Sequence, residues 1–451
     1  MDKKPLTRRQ FVAAASAGTL TLNKTRKAAA HDFVSGDAGK LAALGGTPVR
    51  QNKPWPEWPY WDEQVIDSIV KTTKSRIWCR IQSPSGTVPT FEGEYARMMG
   101  ARYCVATGAG TQALNTCVEA LGIGAGDEVI TSPYTDPGTL ASILASRALP
   151  VLADLDPESY QLDPADVEKR ITQNTRAIMP VHIMGQPCNM DRIMEIARKH
   201  NLKVIEDACQ AHLSEYRGRK LGTIGDLGCF SFQSSKTIAC GEGGAIIGND
   251  EKLMDMCYTV HNHGTSRRGL TEVAGPKYRM NELEAALLLG QMPGVGARFL
   301  LRNRNAARLT AAIKGIPGIV PQKLYDGTES GSFYIYGMAY NKEHFNNADL
   351  GKFLKAVAAE GAPLSPYIER GLHREPWVDH ILNSKVYQKT FSSERLKKYR
   401  EENHCPNCDR VCQEVAIIWA SGPLIGTKED MDDVARAILK VYENRDKLSS
   451  V

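Results

Sequence analysis

Short apolar runs alternate with stretches of helical periodicity along most of this chain, and no other feature restricts its fold as strongly. Helical patterns, for example at 113–121, 191–200 and 251–261, lie between most of the runs. Parallel neighbours in a sheet need crossover connections, which are usually helical. The alternation therefore predicts an α/β fold built on a mostly parallel sheet. The strand-like runs are 103–106, 128–131, 149–153, 177–181, 203–205, 229–232 and 245–247.

The length of 451 residues allows two domains, each with its own core. Helical stretches at 281–290 and 297–314 lead out of the alternating region, and an amphipathic helix is predicted at 428–447. We predict a large domain over residues 31–310 and a smaller α+β domain over residues 311–451.

Residues 1–30 are strongly basic. They carry seven Lys or Arg and one Asp, a net charge of +6, so the remaining residues carry −1 of the total of +5. A nearly neutral remainder argues against a nucleic-acid-binding face.

The same segment has the parts of an export signal in the right order. An Arg8-Arg9 pair precedes a weakly apolar stretch at 12–22, further basic residues and the triplet Ala28-Ala29-Ala30. We predict a twin-arginine signal peptide at 1–30 and a periplasmic or exported protein. The alternative is a basic tail with a chance arginine pair on a cytoplasmic protein. Neither this stretch nor any later one is long and apolar enough to be a membrane helix.

Eleven cysteines are scattered between Cys79 and Cys412, and this odd number does not suggest a disulfide framework. Cys405 and Cys408 form a Cys-x-x-Cys pair with Cys412 and His404 nearby. Structural zinc sites usually have a second paired motif, which this sequence lacks. We predict no metal site.

Two motifs at predicted strand ends suggest ligand contacts. The glycine-rich segment 107–111 precedes a helix, whose first N–H groups favour a phosphate, although an ordinary turn would look the same. Asp207 ends a strand, where α/β sheets place ligands. Its carboxylate suits a protonated pyridine nitrogen, and the alternative is a simple turn acid.

A third motif contains a lysine directly after a strand. Lys236 follows Ser234 and Ser235 and precedes the glycine-rich segment 241–244. Such an amine suits a Schiff base with a cofactor, and the alternative is an ordinary surface lysine. The three motifs occur in one order, each at a strand end, which favours a pyridoxal-phosphate (PLP) site.

These residues resemble those of the DegT–StrS family of fold-type-I PLP-dependent aminotransferases, which act mainly on keto-sugars. The resemblance runs from about residue 41 to residue 441. It rests on segments 126–130, 154–156, 182–186, 206–212, 230–236 and 278–280.

The resemblance implies a role for each matching residue. Lys236 would hold the cofactor and move protons, and Asp207 would bond the pyridine nitrogen. Gln210 would bond the ring hydroxyl of PLP. Gly110, Thr111 and Ser231 would hold its phosphate.

Two positions depart from the family pattern. Asp136 stands where members usually place an aromatic ring that stacks on the cofactor, and Tyr134 lies two residues earlier. Lys277 stands where an Asn usually reaches the phosphate of the neighbouring subunit, and an ammonium is a good phosphate partner as a point charge. The resemblance implies a homodimer.

Within the family, segments 41–48, 55–59, 361–366 and 405–406 are most similar to inosose aminotransferases and aminohydroxybenzoate synthases. This likeness implies an unactivated keto-sugar or keto-cyclitol acceptor, with glutamate or glutamine as donor. Asp136, His182 and His212 are the predicted hydroxyl-binding residues. The alternatives are a PLP-dependent dehydratase or epimerase, against which Lys236 argues, and a PLP-binding regulatory protein.

Overall fold

The computed structural model describes residues 39–419 and 422–451. The predicted signal peptide, residues 1–30, lies outside the described residues. In the described part of the chain, no helix combines the length and the apolar character needed to cross a bilayer.

The described strands form three sheets of seven, three and three strands. The largest has the order β1-β9-β8-β5-β4-β2-β3 once its strands are numbered along the chain. The strands are β1 (Tyr103–Thr107), β2 (Glu128–Thr131), β3 (Leu149–Leu152), β4 (Thr175–Met179), β5 (Lys203–Asp207), β6 (Glu215–Tyr216), β7 (Arg219–Lys220), β8 (Leu227–Ser231), β9 (Gly244–Gly248), β10 (Ile319–Pro321), β11 (Thr328–Ser330), β12 (Ile335–Tyr340) and β13 (Val415–Trp419).

Neighbouring strands of the large sheet run parallel from β3 across to β8. Only β9 runs antiparallel to its neighbours, β8 and β1. The mostly parallel α/β fold predicted from the alternating sequence is confirmed.

Helices connect most of these strands. They are α1 (Glu63–Ser75), α2 (Thr87–Met99), α3 (Gly110–Ala120), α4 (Pro137–Ala145), α5 (Pro164–Lys169), α6 (Met190–His200), α7 (Glu251–His261), α8 (Glu282–Ile313), α9 (Leu350–Ala359), α10 (Trp377–Asn383), α11 (Lys385–Thr390), α12 (Ser393–Glu402), α13 (Pro406–Glu414) and α14 (Lys428–Glu443). 

Successive residues of the strands pack into opposite apolar layers, as the two-residue repeat of a strand requires. Val129 and Ile205 pack with α3 and α7. Ile130 and Val204 pack with α2 and α6 on the other face. With both faces covered, the carboxyl ends of the parallel strands are the place where the sheet can present side chains to a ligand.

The antiparallel sheet β10-β12-β13 has a separate apolar core. Helices α9 and α14 and the last turns of α8 pack on it, and so does Leu41 from the start of the described chain. The predicted domain boundary, between residues 310 and 311, falls inside α8, which contributes side chains to both cores. The domain limits therefore stay a prediction.

Helix α8 is longer than predicted, because it runs through Pro293 without a break. A proline inside a helix removes one backbone hydrogen bond and costs about 3 kcal/mol or more. Tight packing against α1 offsets this cost: a Cβ atom on Gly290 would lie 2.6 Å from the Cα atom of Val65. Local propensity predicts an interruption here, and tertiary contact overrides it.

Helices α10 to α12 cover the edge strand β3. The Tyr387 hydroxyl donates to the carbonyl oxygen of Ala148 at 3.0 Å, and the Tyr399 hydroxyl donates to that of Pro150 at 2.8 Å. Exposed edge strands invite pairing with other chains. These two phenols occupy carbonyl groups that would otherwise be open at the edge.

Candidate active site

Two of the predicted phosphate contacts meet where β8 ends and α3 begins. A Cβ atom on Gly110 would lie 2.7 Å from the Cβ atom of Ser231, so only glycine fits at this place. The residue before the helix, Ala109, offers no side-chain cap to the first N–H groups of α3. These N–H groups and the Ser231 hydroxyl form a cradle suited to a phosphate. Thr111, the second residue of α3, is half-buried next to Gly138.

Asp207 ends β5 and is almost fully buried. One carboxylate oxygen accepts a hydrogen bond from the Thr139 hydroxyl at 2.8 Å, and the other accepts one from the Cys209 N–H at 3.2 Å. The Thr139 hydroxyl also lies 2.8 Å from that of Thr135. These bonds hold the carboxylate in one orientation.

Lys236 lies in the turn after β8 and is half-buried. Its Nζ atom is 4.2 Å from the centroid of the Tyr334 ring, a cation–π contact. The Tyr334 hydroxyl is 2.7 Å from the Ser235 hydroxyl, so the ring is fixed under the amine. Tyr334 directly precedes β12, so the position of this ring beside the lysine is set by the sheet β10-β12-β13.

The charges of Asp207 and Lys236 both act on the Cys209 thiol. Burial raises the pKa of the Cys209 thiol well above its ordinary value, the Asp207 carboxylate raises it further, and the Lys236 ammonium lowers it. Strands β5 and β8 are parallel neighbours. Asp207 at the end of β5 and Lys236 in the turn after β8 therefore lie at the same edge of the sheet.

Gln210 is buried and hydrogen-bonded at both ends of its amide. Its Oε1 atom accepts from the Met184 N–H at 2.7 Å, and its Nε2 atom donates to the Tyr367 hydroxyl at 2.9 Å. A second N–H of the amide remains for a ligand oxygen.

Four aromatic rings form a chain beside the lysine. Tyr334 and Tyr367 each contact Trp419 edge to face, with centroids 5.5 and 5.6 Å apart. Tyr367 in turn contacts Tyr134 at 5.7 Å, and Tyr134 is 1% exposed. We call Tyr334, Trp419, Tyr367 and Tyr134 the aromatic wall.

Segment 277–279 runs beside the glycine-rich turn. The Gly108 N–H donates to the carbonyl oxygen of Tyr278 at 2.8 Å, and Thr107 forms a bridge with Arg279. Lys277 pairs through its backbone with Asn262, and its side chain is exposed.

The model of the DegT/DnrJ/EryC1/StrS aminotransferase family matches residues 62–438. The chain belongs to this family.

Named relatives are similar over almost their whole length. L-glutamine:2-deoxy-scyllo-inosose aminotransferase of Streptoalloteichus tenebrarius is 32% identical over 428 residues, which cover 90% of this chain and 99% of the relative. L-glutamine:scyllo-inosose aminotransferase of Streptomyces griseus is 31% identical over 421 residues, covering 89% and 97%.

Solved structures agree with the fold. 3-Amino-5-hydroxybenzoic acid synthase superposes with a TM-score of 0.75 at 25% identity, covering 88% of this chain and 99% of that one. An aminotransferase from Psychrobacter cryohalolentis superposes with a TM-score of 0.76 at 27% identity, covering 87% and 99%. The predicted fold-type-I architecture and PLP-dependent aminotransferase class are confirmed.

The residues present in this DegT/DnrJ/EryC1/StrS aminotransferase fit PLP. The glycine cradle at Gly110 fits a phosphate, Asp207 offers an ordered carboxylate, and Lys236 offers an amine at the same edge of the sheet. These individual contacts with PLP stay predictions. Over 39–419 and 422–451, no cluster of three or more His, Cys, Asp or Glu side chains has a geometry that could hold a metal ion.

The structure corrects the predicted role of His212. This ring is 1% exposed, its Nε2 atom donates to the Ser231 carbonyl oxygen at 2.9 Å, and its Nδ1 atom lies 2.8 Å from the Tyr95 hydroxyl. Burial lowers the pKa of His212 to about 3, and the Lys236 ammonium contributes to the shift. The neutral ring supports the end of β8 and has no free nitrogen for a substrate.

His182 also differs from the prediction. It is fully buried, its Nε2 atom lies 3.0 Å from a Glu206 carboxylate oxygen, and its Nδ1 atom accepts from the Cys188 N–H at 3.2 Å. Both nitrogens are therefore committed to the protein. The signal that could have separated these histidines from ligand residues is their position inside or beside continuous apolar runs.

Asp136 has a partly structural role. It is the N-cap of α4, where one carboxylate oxygen accepts from the Gly138 N–H at 2.8 Å. The side chain is exposed and close enough to the Tyr367 phenol to raise its pKa. Of the three predicted substrate contacts, only Asp136 lies open beside the aminotransferase site.

Sequence reasoning missed Thr139, Tyr334, Tyr367 and Trp419. Thr139 lies 68 residues from the carboxylate that it orients, and Tyr367 lies 157 residues from Gln210. No local pattern marks these residues, because each reaches the site through the packing of a distant element.

Proposed function

We propose that this aminotransferase transfers the amino group of L-glutamine to the ketone of an unactivated cyclitol of the inosose type. The observation that carries this proposal is the similarity to L-glutamine:scyllo-inosose aminotransferases over about nine-tenths of the chain. The site is compatible with such a ring. The half-buried rings of Tyr367 and Trp419 offer apolar surface to its C–H groups, and the Asp136 carboxylate can accept hydrogen bonds from its hydroxyls.

Bound PLP supplies an aldehyde that accepts the amino group and a ring that acts as an electron sink. The protein supplies the remaining chemistry. Lys236 Nζ would hold the cofactor, and its free amine would carry a proton to or from the substrate carbon. Asp207, oriented by Thr139, would keep the ring nitrogen protonated. The cradle at Gly110 and Ser231 would hold the phosphate and so place the cofactor beside the lysine.

The test compares acceptors at a fixed concentration of L-glutamine. We expect turnover with scyllo-inosose and 2-deoxy-scyllo-inosose, and little with nucleotide-linked 4-keto-sugars. A clear preference for the nucleotide-linked ketones would contradict the acceptor while leaving the aminotransferase class intact. Replacement of L-glutamine by L-glutamate, L-alanine and L-aspartate tests the donor separately.

We also propose export of the folded enzyme by the twin-arginine route. This proposal rests on Arg8-Arg9, the following weakly apolar stretch and the alanine triplet at 28–30. Export of a folded protein permits PLP loading beforehand. Replacement of both arginines with lysine should leave the unprocessed protein in the cytoplasm. A processed form recovered outside the cytoplasm in unchanged amount would contradict the proposal.

A homodimer is the assembly that we propose. Exposed large apolar side chains are concentrated around α1 and the turn after it, where Trp61, Trp78 and Ile81 are 66%, 53% and 59% exposed. Apolar patches of this kind usually mark interfaces. In an isologous dimer, Lys277 would approach the cofactor phosphate of the neighbouring subunit.

A further inference from the structure

The orientation of the Gln210 amide is fixed by the protein itself. A backbone N–H can only donate, so the amide oxygen must face Met184, and the amide nitrogen must therefore face the Tyr367 hydroxyl. The Tyr367 oxygen is the acceptor in this bond. With the amide held at both ends, the direction of its second N–H is set before any ligand arrives.

The Met184 side of this arrangement is a strained turn. Met184 has a φ of 61°, which is uncommon for a residue other than glycine, and Gly185 follows with a φ of 81°. A Cβ atom on Gly185 would lie 2.6 Å from the Gln210 carbonyl oxygen, so the turn is pressed against the residue that it orients. Strain of this kind persists only where the surrounding packing enforces it.

The segment that carries Tyr367 is attached to the sheet β10-β12-β13. Ser365 exchanges two backbone hydrogen bonds with Ile417 of β13, at 3.1 and 2.9 Å, and these bonds attach the segment of Tyr367 to the sheet β10-β12-β13. The phenol ring lies between Trp419 and Tyr134 in the aromatic wall, which restricts its rotation. Burial raises the pKa of Tyr367, and the nearby Tyr334 phenol and the Asp136 and Asp207 carboxylates raise it further, whereas the hydrogen bond from Gln210 lowers it by less. The hydroxyl therefore stays protonated and neutral.

We propose that Tyr367 is a positioning residue for the cofactor. It fixes the Gln210 amide so that the free N–H points to the ring oxygen of PLP. Cofactor binding thereby depends on the position of the sheet β10-β12-β13, to which the segment of Tyr367 is attached. The hydrogen bond between Tyr367 and Gln210 is thus a direct link between the antiparallel sheet and the carboxyl edge of the parallel sheet.

The test is a double-mutant cycle on PLP affinity, measured by adding PLP to the apo-protein. Tyr367→Phe keeps the ring and removes the acceptor, and we expect it to weaken PLP binding about fivefold, the equivalent of one neutral hydrogen bond. In a Gln210→Ala background the same change should have no further effect. Gln210→Met replaces Gln210→Ala if the alanine variant folds poorly, since methionine keeps the volume.

A second readout is the pH midpoint of the visible absorption band of bound PLP, which responds to hydrogen bonding at the ring oxygen. Tyr367→Phe and Gln210→Ala should shift this midpoint in the same direction. Tyr103→Phe is the matched control, because its hydroxyl takes only an exposed bond from Arg102, and it should change neither value. An equal loss of affinity in both backgrounds, or an unchanged midpoint in Tyr367→Phe, would overturn the proposal.

Discussion

At the scale of single residues, Lys236 is the group on which we expect turnover to depend. Lys236→Ala removes the amine that we propose holds the cofactor and carries protons. We expect weaker PLP binding, loss of the borohydride-sensitive visible band and a fall in turnover of at least about 10³-fold, in the range of losing proton transfer and covalent attachment together. Lys220→Ala is the control, since Lys220 forms an ion pair with Glu215 and is not one of the predicted site residues. Normal turnover in Lys236→Ala would remove this residue from the mechanism.

His212 gives the protein an acid-sensitive residue. Its pKa is about 3 in the folded state against 6.5 in the unfolded chain. Between these two values His212 is protonated in the unfolded chain and neutral in the folded protein. The stability contribution of His212 is therefore complete above pH 6.5 and declines as the pH falls towards about 3. The slope approaches about 1.4 kcal/mol per pH unit.

Urea unfolding between pH 7 and pH 4 measures this effect. His212→Asn should be less stable at pH 7, because it disturbs the bonds to Tyr95 and Ser231, but its stability should depend less on pH. The exposed His380 provides the matched control, and His380→Asn should leave the slope unchanged. Identical slopes for all three proteins would show that His212 does not titrate as described.

At the scale of elements, the covered edge of the large sheet is the feature most open to test. Tyr387→Phe and Tyr399→Phe each leave a buried carbonyl group at β3 without its donor. We expect each to lower the free energy of unfolding by about 1–3 kcal/mol and to increase aggregation. Tyr103→Phe, whose hydroxyl takes only an exposed bond from Arg102, should have little effect. Wild-type stability in both edge variants would mean that these bonds contribute nothing net.

The elements also show where sequence reasoning works and where it stops. The strands that end at Asp207 and Ser231 follow from apolar periodicity and from chain order, and so does the mostly parallel sheet. Pro293 shows the limit, because the packing of Gly290 on Val65 decides that α8 continues. The aromatic wall could not be predicted, since its rings approach Lys236 only after β12 and β13 pair.

At the scale of the whole molecule, the proposed dimer can be tested through Lys277. Lys277→Ala removes an exposed ammonium next to the glycine-rich turn, and we expect weaker PLP binding with an unchanged melting temperature of the apo-protein. Trp78→Asp should shift the protein towards monomer in sedimentation, and its loss of PLP affinity should equal that of Lys277→Ala or exceed it. Lys428→Ala, at the exposed start of α14, is the control. A monomeric wild-type protein that binds PLP tightly would contradict the assembly.

Helix α8 has a consequence for cooperativity. Its 32 residues extend about 48 Å, at 1.5 Å per residue, with one end in the core of the parallel sheet and the other in the core of the antiparallel sheet. Unfolding of either core would expose part of α8, and the other core packs against the same helix. Calorimetry of the apo-protein should therefore record one endotherm. Its van't Hoff enthalpy should be at least equal to the calorimetric enthalpy per mole of chain. A chain with two hydrophobic cores would then unfold in a single cooperative transition.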